Sequence, residues 1–489
     1  MKKFEQLYFN NTYARLPDIF YNRVDTAPLT NPHLISFNSS AASLIDLDIN
    51  ESMRPDFVDI ISGKKALPGF EPLAMCYAGH QFGHYVPRLG DGRAILLGQV
   101  VTDKDNKWDL QLKGAGQTLY SRNADGRAVL RSTIREYLCS EAMHGLGIPS
   151  SRALCIIGSD TEVYRETIET GALLLRMAPS HIRFGTFEYF YYQQRFNDLK
   201  ILADYVIQHH YPELRETPSP YLSLLAQVIK STAQLIARWQ SVGFSHGVMN
   251  TDNMSIHGIT LDYGPFGFLD QYHPGYICNH SDHEGRYAFD RQPDIGLFNL
   301  SCLAQALLPL LDEIPEKAAE IAKAELENYK QIFITEYSML MRRKLGLIKQ
   351  HKDDQAICND LLELMQHNHV DYTILFRALS EPDTHSVRDQ FLQRDAFDHW
   401  MARYQSRLNQ DNPDPAERSR NMKQANPKFI LRNHLAEIAI QKATQDNDYA
   451  EIDTLLKLLQ QPFDEHPELY SYSAMPPEWA QDIEVSCSS

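Results

Sequence analysis

The chain has 489 residues, 43% of them apolar, which is enough to bury large cores and corresponds to about three domain-sized units. It carries 47 basic against 63 acidic side chains. The net charge of −16 argues against a general nucleic-acid-binding or membrane-binding surface, because both need an excess of Lys and Arg. No continuous apolar core follows Lys2 and Lys3, so the amino terminus predicts no secretory signal and we expect a cytoplasmic protein.

The most apolar long stretch, residues 297–311, is interrupted by polar residues and by Pro309. It predicts a buried helix that is too short to span a bilayer. The seven cysteines are scattered, without a C-x-x-C pair or zinc-type spacing, which predicts core thiols in a reducing compartment. Cys487 differs, because a chain terminus is seldom buried, and its thiol is either incidental or redox-active.

Residues 1–70 mix aromatics, Asn and Pro without strong periodicity, and they predict an extended arm laid over the surface. From residue 74 the pattern becomes a strand, a glycine turn and a second strand. In the turn, Gly90 and Gly92 would let backbone amides approach phosphates, and Arg93 adds charge. Since Asp-Gly is also the commonest hairpin turn, an ordinary turn without a ligand is the alternative.

Residues 108–114 alternate with period two, which places Lys113 at the end of a strand. Apolar spacing then predicts a helix over residues 127–144, closed by a glycine-rich segment. Glu136 on this helix is the candidate to orient Lys113 through an ion pair, as a helix glutamate does in protein kinases. The alternative is a solvated surface pair that contributes little to stability.

The segment between strand and helix is too rich in glycine for regular structure and could close over a nucleotide with Asp125 and Gly126. Short apolar strands follow, so residues 75–178 predict an antiparallel sheet with one helix. Arg176 lies in the last strand, and Arg183 stands before a glycine. Two arginines there can neutralise a polyphosphate, although surface pairing is the default expectation for any single Arg.

The stretch from 245 to 264 concentrates the polar chemistry of the chain. His246 and Asn253 keep the spacing of a kinase catalytic loop, in which the Asn holds a metal ion, and Asp262 stands where kinases carry the Asp of D-F-G. The alternating run 255–261 predicts a small hairpin that brings the two oxygen ligands together, a typical magnesium arrangement. A turn without chemistry is the alternative for either motif alone.

One position departs from the kinase pattern. The residue two places after His246, where a kinase has its catalytic Asp, is Val248, which cannot accept a proton. The nearest carboxylate is Asp252. Ordinary phosphoryl transfer is therefore not the obvious reaction.

Beyond residue 190 the pattern is helical, and we predict an α+β fold resembling a protein kinase, with a small antiparallel β lobe plus helix and a large, mainly α lobe. We expect boundaries at 1–70 (arm), 71–190 (small lobe), 191–385 (large lobe with the metal site) and 386–489 (helical carboxy-terminal extension and tail). His280, Asp282 and His283 resemble a metal cluster, but they sit in one polar loop with no fourth ligand nearby, so we do not predict one.

Six motifs in one order resemble the selenoprotein O (YdiU-like) family of protein adenylyltransferases, over most of the chain. They are residues 77–84 (YAGHQFGH), 89–93 (LGDGR), 111–116 (QLKGAG), 247–254 (GVMNTDNM), 262–268 (DYGPFGF) and 279–282 (NHSD). The resemblance implies a pseudokinase fold that binds ATP in reversed orientation, so that AMP is transferred to protein Ser, Thr or Tyr hydroxyls. That reversal gives a reason for Val248.

The resemblance also implies a role for each matching residue. Asn253 and Asp262 would bind Mg²⁺ or Mn²⁺, Asp252 would be the base, and Glu136 would hold Lys113. Nucleotide contacts would come from Gly90, Gly92, Arg93, Lys113, Asp125, Gly126, Arg176, Arg183 and Asp262. Selenium-containing family members carry selenocysteine near the carboxyl end, where this chain has Cys487, and a disulfide between Cys487 and a loop thiol such as Cys278 is a hypothesis for redox control.

The sequence is compatible with three functions. The first is a metal-dependent protein adenylyltransferase that acts on protein substrates and accepts UTP when Mn²⁺ is the ion. The second is a kinase with its base relocated to Asp252, and the third is an inactive nucleotide-binding regulator. No nucleic-acid or membrane partner is expected.

Overall fold

The computed structural model describes residues 1–383, 385–411 and 414–485. Within them the protein is α+β, with strands concentrated before residue 180 and helices after it. The strands are β1 Tyr8–Phe9, β2 Tyr21–Arg23, β3 His33–Phe37, β4 Leu73–Met75, β5 Gly79–Gln81, β6 His84–Val86, β7 Ala94–Val101, β8 Lys107–Lys113, β9 Ala128–Val129, β10 Arg152–Tyr164, β11 Ile168–Ala178, β12 Phe244–Ser245 and β13 Gly267–Phe268.

The helices follow the same numbering by chain order. They are α1 Ser39–Leu44, α2 Phe57–Ile61, α3 Leu130–Gly145, α4 Phe184–Tyr192, α5 Phe196–His210, α6 Pro220–Ser241, α7 Gln292–Leu311, α8 Pro315–Leu326, α9 Asn328–Lys344, α10 Asp354–Asn368, α11 Tyr372–Leu379, α12 His385–Arg388, α13 Arg394–Asp411, α14 Pro415–Ala425, α15 Asn433–Gln445 and α16 Ala450–Gln460.

The main sheet is antiparallel, in the order β2-β4-β7-β8-β11-β10-β3, with β1 beside β7 and β9 beside β11. Strand β11 shows why its sequence reads as a continuous apolar run. Successive side chains point to opposite faces, so Leu174 packs toward α3 while Leu173 and Leu175 pack into a second core. Both faces are covered, so both sets of side chains are apolar.

This second core contains side chains from residues 1–70. An extended surface arm is wrong for this segment, because it supplies β1, β2 and β3 to the sheet and buries Phe4, Phe57 and Ile60 against it. The predicted helix and strands after residue 100 are present, and β10 and β11 extend beyond the predicted apolar runs.

Helix α7 is longer than the apolar run predicts. With the turn before it, residues 289–311 are long and apolar enough to cross a membrane by length and composition. Leu300, Leu303 and Leu307 are, however, buried in a core that they share with side chains of α4, α5 and α6. The prediction of a buried helix holds within the described residues, whereas the prediction that it is too short to span a bilayer does not.

The carboxy-terminal helices α15 and α16 pack on α3. Their Leu435, Ile452 and Leu455 side chains share one core with Ile134 and Leu138 of α3. Helix α3 therefore lies between the sheet and the end of the chain, which fixes the position of the residues that it presents.

Candidate active site

A cavity of about 650 Å³ opens between the end of the sheet and the loop 245–264. Eleven of the predicted site residues line it: Gly90, Gly92, Arg93, Lys113, Asp125, Gly126, Arg176, Arg183, Asp252, Asn253 and Asp262. Its lining has seven basic side chains against four acidic ones, the reverse of the balance of the whole chain. The size suits a small ligand and the charge suits an anionic one.

The loop that forms one wall is held from behind by α7. Gln292 accepts a hydrogen bond from His246 N (2.9 Å) and donates one to the Phe244 carbonyl (2.9 Å). Asn299 donates to the Met249 carbonyl at 2.9 Å. The predicted hairpin over residues 255–261 is absent: an isolated bridge between Met254 and Thr260 closes a turn instead.

Asp262 has a left-handed backbone, with φ of 57°, a conformation that side chains other than Gly adopt mainly at special sites. Its carboxylate pairs with Arg176 at 2.5 Å and also with Arg183. Burial alone would raise the pKa of Asp262, but the two guanidinium groups and Lys113 outweigh it and hold the pKa well below its usual range. Asp262 is therefore a permanent anion in a cationic setting.

Lys113 and Glu136 form the ion pair that the kinase comparison predicts. Glu136 is buried on α3, and its other oxygen accepts from Arg176 at 2.8 Å. Burial lowers the pKa of Lys113, while burial of Glu136 is outweighed by Lys113 and Arg176, which lower its pKa. The four charges of Lys113, Glu136, Arg176 and Asp262 thus form one network that spans β8, α3, β11 and the loop.

Asp252 is the carboxylate with a free oxygen. Its Oδ2 accepts from Gln81 at 3.2 Å, whereas the buried Oδ1 has no hydrogen-bond partner among the described residues. Burial raises the pKa of Asp252 to about 7, against the lowering effect of Arg183. Val248 lines the same cavity where a kinase has its base. Asp252 is the acceptor available to take a proton on this wall.

Asn253 and Asp262 supply the oxygen atoms that suit a divalent cation. The Asn253 amide nitrogen donates to the Val248 carbonyl at 2.9 Å, which leaves the side-chain oxygen as the group available to a ligand. A carboxylate and an amide oxygen in the lining of a cavity with clustered cationic side chains fit Mg²⁺ or Mn²⁺. The residues present therefore fit the metal that the sequence motifs imply.

The glycine turn is anchored by Asp91, which is buried between Gly90 and Gly92. Its carboxylate accepts from Met75 N (3.0 Å) and from Gln111 Nε2 (3.1 Å). At Gly90, φ is 74° and a Cβ would lie 2.3 Å from the Tyr120 ring, so only glycine fits. Because the Asp91 carboxylate is bonded to Met75 and Gln111, the turn presents its backbone to the cavity.

The rim of the cavity carries the remaining predicted contacts. Asp125 is exposed and pairs with Arg165 at 2.7 Å, while its neighbour Gly126 is buried against the Gly116 carbonyl. Arg93 is also exposed. These residues sit at the entrance, unlike the buried network around Asp262.

Cys278 is not the exposed loop thiol that the redox hypothesis assumes. It is 7% exposed and packs against Ser245, and burial raises the pKa of its thiol to about 12. Cys487 lies outside the described residues. Nearby, Asp282 accepts from the backbone of Arg286 and Tyr287, so this carboxylate serves the loop itself.

Several contacts at the site escape sequence reasoning. Four of the residues that make them lie inside the six motifs: Asp91, Gln111, Gln81 and Thr251. The motifs mark these positions, but the local sequence does not show which of the side chains make contacts at the site. Glu188 lies outside every motif and gives no such signal.

Paired oxygen donors, clustered cationic side chains and a carboxylate with a free oxygen define a transferase that handles phosphate groups. The chain belongs to the SelO family: the family model described as Protein adenylyltransferase SelO matches residues 3–460. It is 55% identical to a protein of Thioalkalivibrio sulfidiphilus, 53% to one of Myxococcus xanthus and 52% to one of Thiobacillus denitrificans, each named Protein nucleotidyltransferase YdiU and each covered, like this chain, over its full length.

Proposed function

We propose that this chain transfers AMP from ATP to Ser, Thr or Tyr hydroxyls of proteins and releases pyrophosphate. The observation that carries the proposal is Asp252, a carboxylate in the lining of a cationic cavity whose usual base position holds Val248; its Oδ1 has no hydrogen-bond partner among the described residues. Membership of a nucleotidyltransferase family supports the same reaction.

Each step uses residues of the cavity. Lys113, Arg176 and Arg183 bind the phosphates and stabilise the negative charge that grows as the α-phosphorus is attacked. The amides of Gly90 and Gly92 and the side chain of Arg93 contact the nucleotide, with Asp125 and Gly126 at the entrance. Asp252 takes the proton of the acceptor hydroxyl, whose oxygen bonds to the α-phosphorus as the bond to pyrophosphate breaks.

Asn253 and Asp262 would hold the divalent metal, Mg²⁺ or Mn²⁺. When bound, it neutralises phosphate charge as a Lewis acid. We expect chelation by EDTA to abolish transfer and either ion to restore it, with UMP transfer from UTP appearing under Mn²⁺. Transfer that persists at full rate after exhaustive chelation would contradict the metal assignment.

The test of the reaction uses ATP labelled at the α or at the γ position, with a protein mixture as acceptor. Label from the α position supports adenylyl transfer. Label from the γ position alone would identify a kinase with Asp252 as a relocated base, and no protein label from either position would identify a nucleotide-binding regulator. The Asp252→Asn variant, which keeps the shape and removes the base, serves as the matched control.

We further propose the kinase-like organisation that the motifs imply, with a small lobe at 71–190, a large lobe at 191–385 and an extension at 386–489, preceded by residues 1–70. Two observations support it: the Lys113–Glu136 ion pair, and the kinase-like order of His246, Asn253 and Asp262 along residues 245–264. The same resemblance supports protein partners, and the six free, buried cysteines of the described residues suit a reducing, cytoplasmic location.

Redox control through Cys278 and Cys487 stays a hypothesis. The His280 amide donates to the Val485 carbonyl at 2.8 Å, so the end of the described chain runs beside the segment of Cys278. Thiol–disulfide exchange with an oxidised dithiol would join the two sulfurs and reduce that partner. Equal alkylation of both thiols before and after such treatment would rule the disulfide out.

A further inference from the structure

The short hairpin β5–β6 is fastened to the loop that carries Asp252. The His80 amide donates to the Thr251 hydroxyl oxygen at 2.6 Å, and Gln81 donates to Asp252. The Phe82 amide donates to the Asn250 side-chain oxygen at 3.3 Å. Three consecutive hairpin residues thus contact three consecutive loop residues.

The hairpin and the loop also approach more closely than side chains allow. A Cβ on Gly79 would lie 2.6 Å from Oδ1 of Asp252. A Cβ on Gly185, in the first turn of α4, would lie 2.0 Å from the Ala78 carbonyl, and Ala78 N donates to the Gly185 carbonyl at 3.0 Å. The backbone at Gly79 therefore lies against the Asp252 carboxylate, and the backbone of α4 lies against Ala78, the residue before the hairpin.

Glu188 of α4 ties the hairpin and the loop together from behind. It is fully buried, and its Oε1 lies 2.6 Å from the His80 ring nitrogen Nδ1. Its Oε2 accepts from the Thr251 hydroxyl at 2.5 Å. Because that hydroxyl oxygen already accepts the His80 amide, its hydrogen is directed to Glu188.

We propose that Glu188 is a positioning residue for Asp252: by accepting from both His80 and Thr251, it clamps the β5–β6 hairpin to the loop and fixes the carboxylate that faces the acceptor hydroxyl. This inference rests on the proposed function, in which Asp252 takes the proton. Glu188 is not among the residues that line the cavity and acts through its two partners.

A third side chain offers a competing explanation. One donor atom from each of His80, Glu188 and Cys302 lie within 4.8 Å of one another, a set that could hold a metal ion. Both Glu188 oxygens make the hydrogen bonds that the clamp requires, one with His80 and one with Thr251. The two explanations differ in what they require of Cys302, since only the metal site needs its thiol.

The experiment measures kcat and KM for ATP in adenylyl transfer by the full chain and four variants. Glu188→Gln puts an amide NH₂, which cannot accept, at one of the two bonds, and Thr251→Val removes the hydroxyl at constant shape. We expect each to lower kcat about 10- to 100-fold with KM for ATP changed less than about 3-fold, because misplacement of a reacting group affects the chemical step. Thr251→Ser restores the hydroxyl and should retain kcat within about 3-fold.

Cys302→Ser is the control and should leave both constants unchanged. Loss of activity in Cys302→Ser equal to that in Glu188→Gln would replace the clamp by a metal site. The clamp is also overturned when Glu188→Gln keeps its kcat, when Thr251→Ser fails like Thr251→Val, or when the losses appear only in KM. If Glu188→Gln does not fold, the Thr251 pair decides alone. A wild-type chain without transfer overturns the proposed function itself.

Discussion

Asp252 and Asp262 line one cavity, yet their carboxyl groups meet opposite surroundings. Asp252 is buried, its carboxylate accepts from Gln81 alone among the described residues, and burial raises its pKa to about 7. The Asp262 side chain is 18% exposed, and Arg176, Arg183 and Lys113 hold its pKa well below the usual range. The two environments shift the pKa values of the carboxyl groups in opposite directions. Asp252 can therefore exchange a proton, whereas Asp262 remains an anion.

Replacing Asp262 tests the second of these roles. We expect Asp262→Ala to lower the rate of transfer at least about 100-fold, because it removes an oxygen donor for the metal and leaves Arg176 and Arg183 without their shared partner. Labelling of a protein acceptor from α-labelled ATP measures the effect. Asp290→Ala, at an exposed carboxylate outside the cavity, is the matched control. Full activity of Asp262→Ala would contradict the role of Asp262 as a metal ligand.

Residue-level prediction from sequence depends on how local the signal is. Asn253 and Asp262 could be placed at one site because a short loop joins them, and Lys113 could be matched with Glu136 because strand and helix patterns are both periodic. Glu188 could not, since its partners His80 and Thr251 stand 108 and 63 residues away and only the folded chain brings them together. The burial of Cys278 is a tertiary property for the same reason.

At the scale of elements, α3 connects the site to the end of the chain. It carries Glu136 on the side of the sheet, and its last residue, Gly145, lies against α16. The helix and strands of this region were predictable from their periods of 3.6 and 2. The strands before residue 40 were not, because short segments with mixed polarity become strands only beside partners that are distant in sequence.

The contact between α3 and α16 gives a stability prediction. A Cβ on Gly145 would lie 2.0 Å from the Leu459 carbonyl, so Gly145→Ala must push the two helices apart. We expect a loss of about 1–3 kcal/mol in the free energy of unfolding, the usual cost of overpacking. Urea unfolding measures it.

The neighbouring His144 is exposed and provides the comparison for this variant. His144→Ala should change the free energy of unfolding by less than about 0.5 kcal/mol. Equal stability of Gly145→Ala and wild type would contradict this prediction and show that α16 shifts to accommodate the added methyl group with no loss in the free energy of unfolding.

For the whole molecule, one buried and two half-buried histidines decide part of the response to acid. His181, His210 and His257 have ring nitrogens without hydrogen-bond partners among the described residues, with Asp109 the nearest carboxylate to His181. Burial lowers the pKa of all three, that of His257 to about 4. Each group is neutral in the folded chain and takes up a proton on unfolding, so its stabilising contribution is complete above pH 6.5 and is lost as pH falls toward the folded pKa.

His257 allows this to be measured by difference. Asp252, whose raised pKa acts in the opposite direction, is present in both proteins and cancels. We expect wild type to lose about 2 kcal/mol more stability than His257→Asn between pH 7 and pH 4.5. Urea unfolding at the two pH values gives the comparison, and parallel losses in the two proteins would refute the contribution of His257.

The hydrogen bond between His280 and Val485 has a practical consequence for studying acceptors. It holds the last described residue next to the segment whose Ser281 lines the cavity. A peptide fused after residue 489 would be separated from that contact by only four residues and would meet the site intramolecularly, at the high effective concentration that a short tether provides. The carboxyl end can therefore serve as a built-in tether on which candidate hydroxyl-bearing sequences are compared within a single chain.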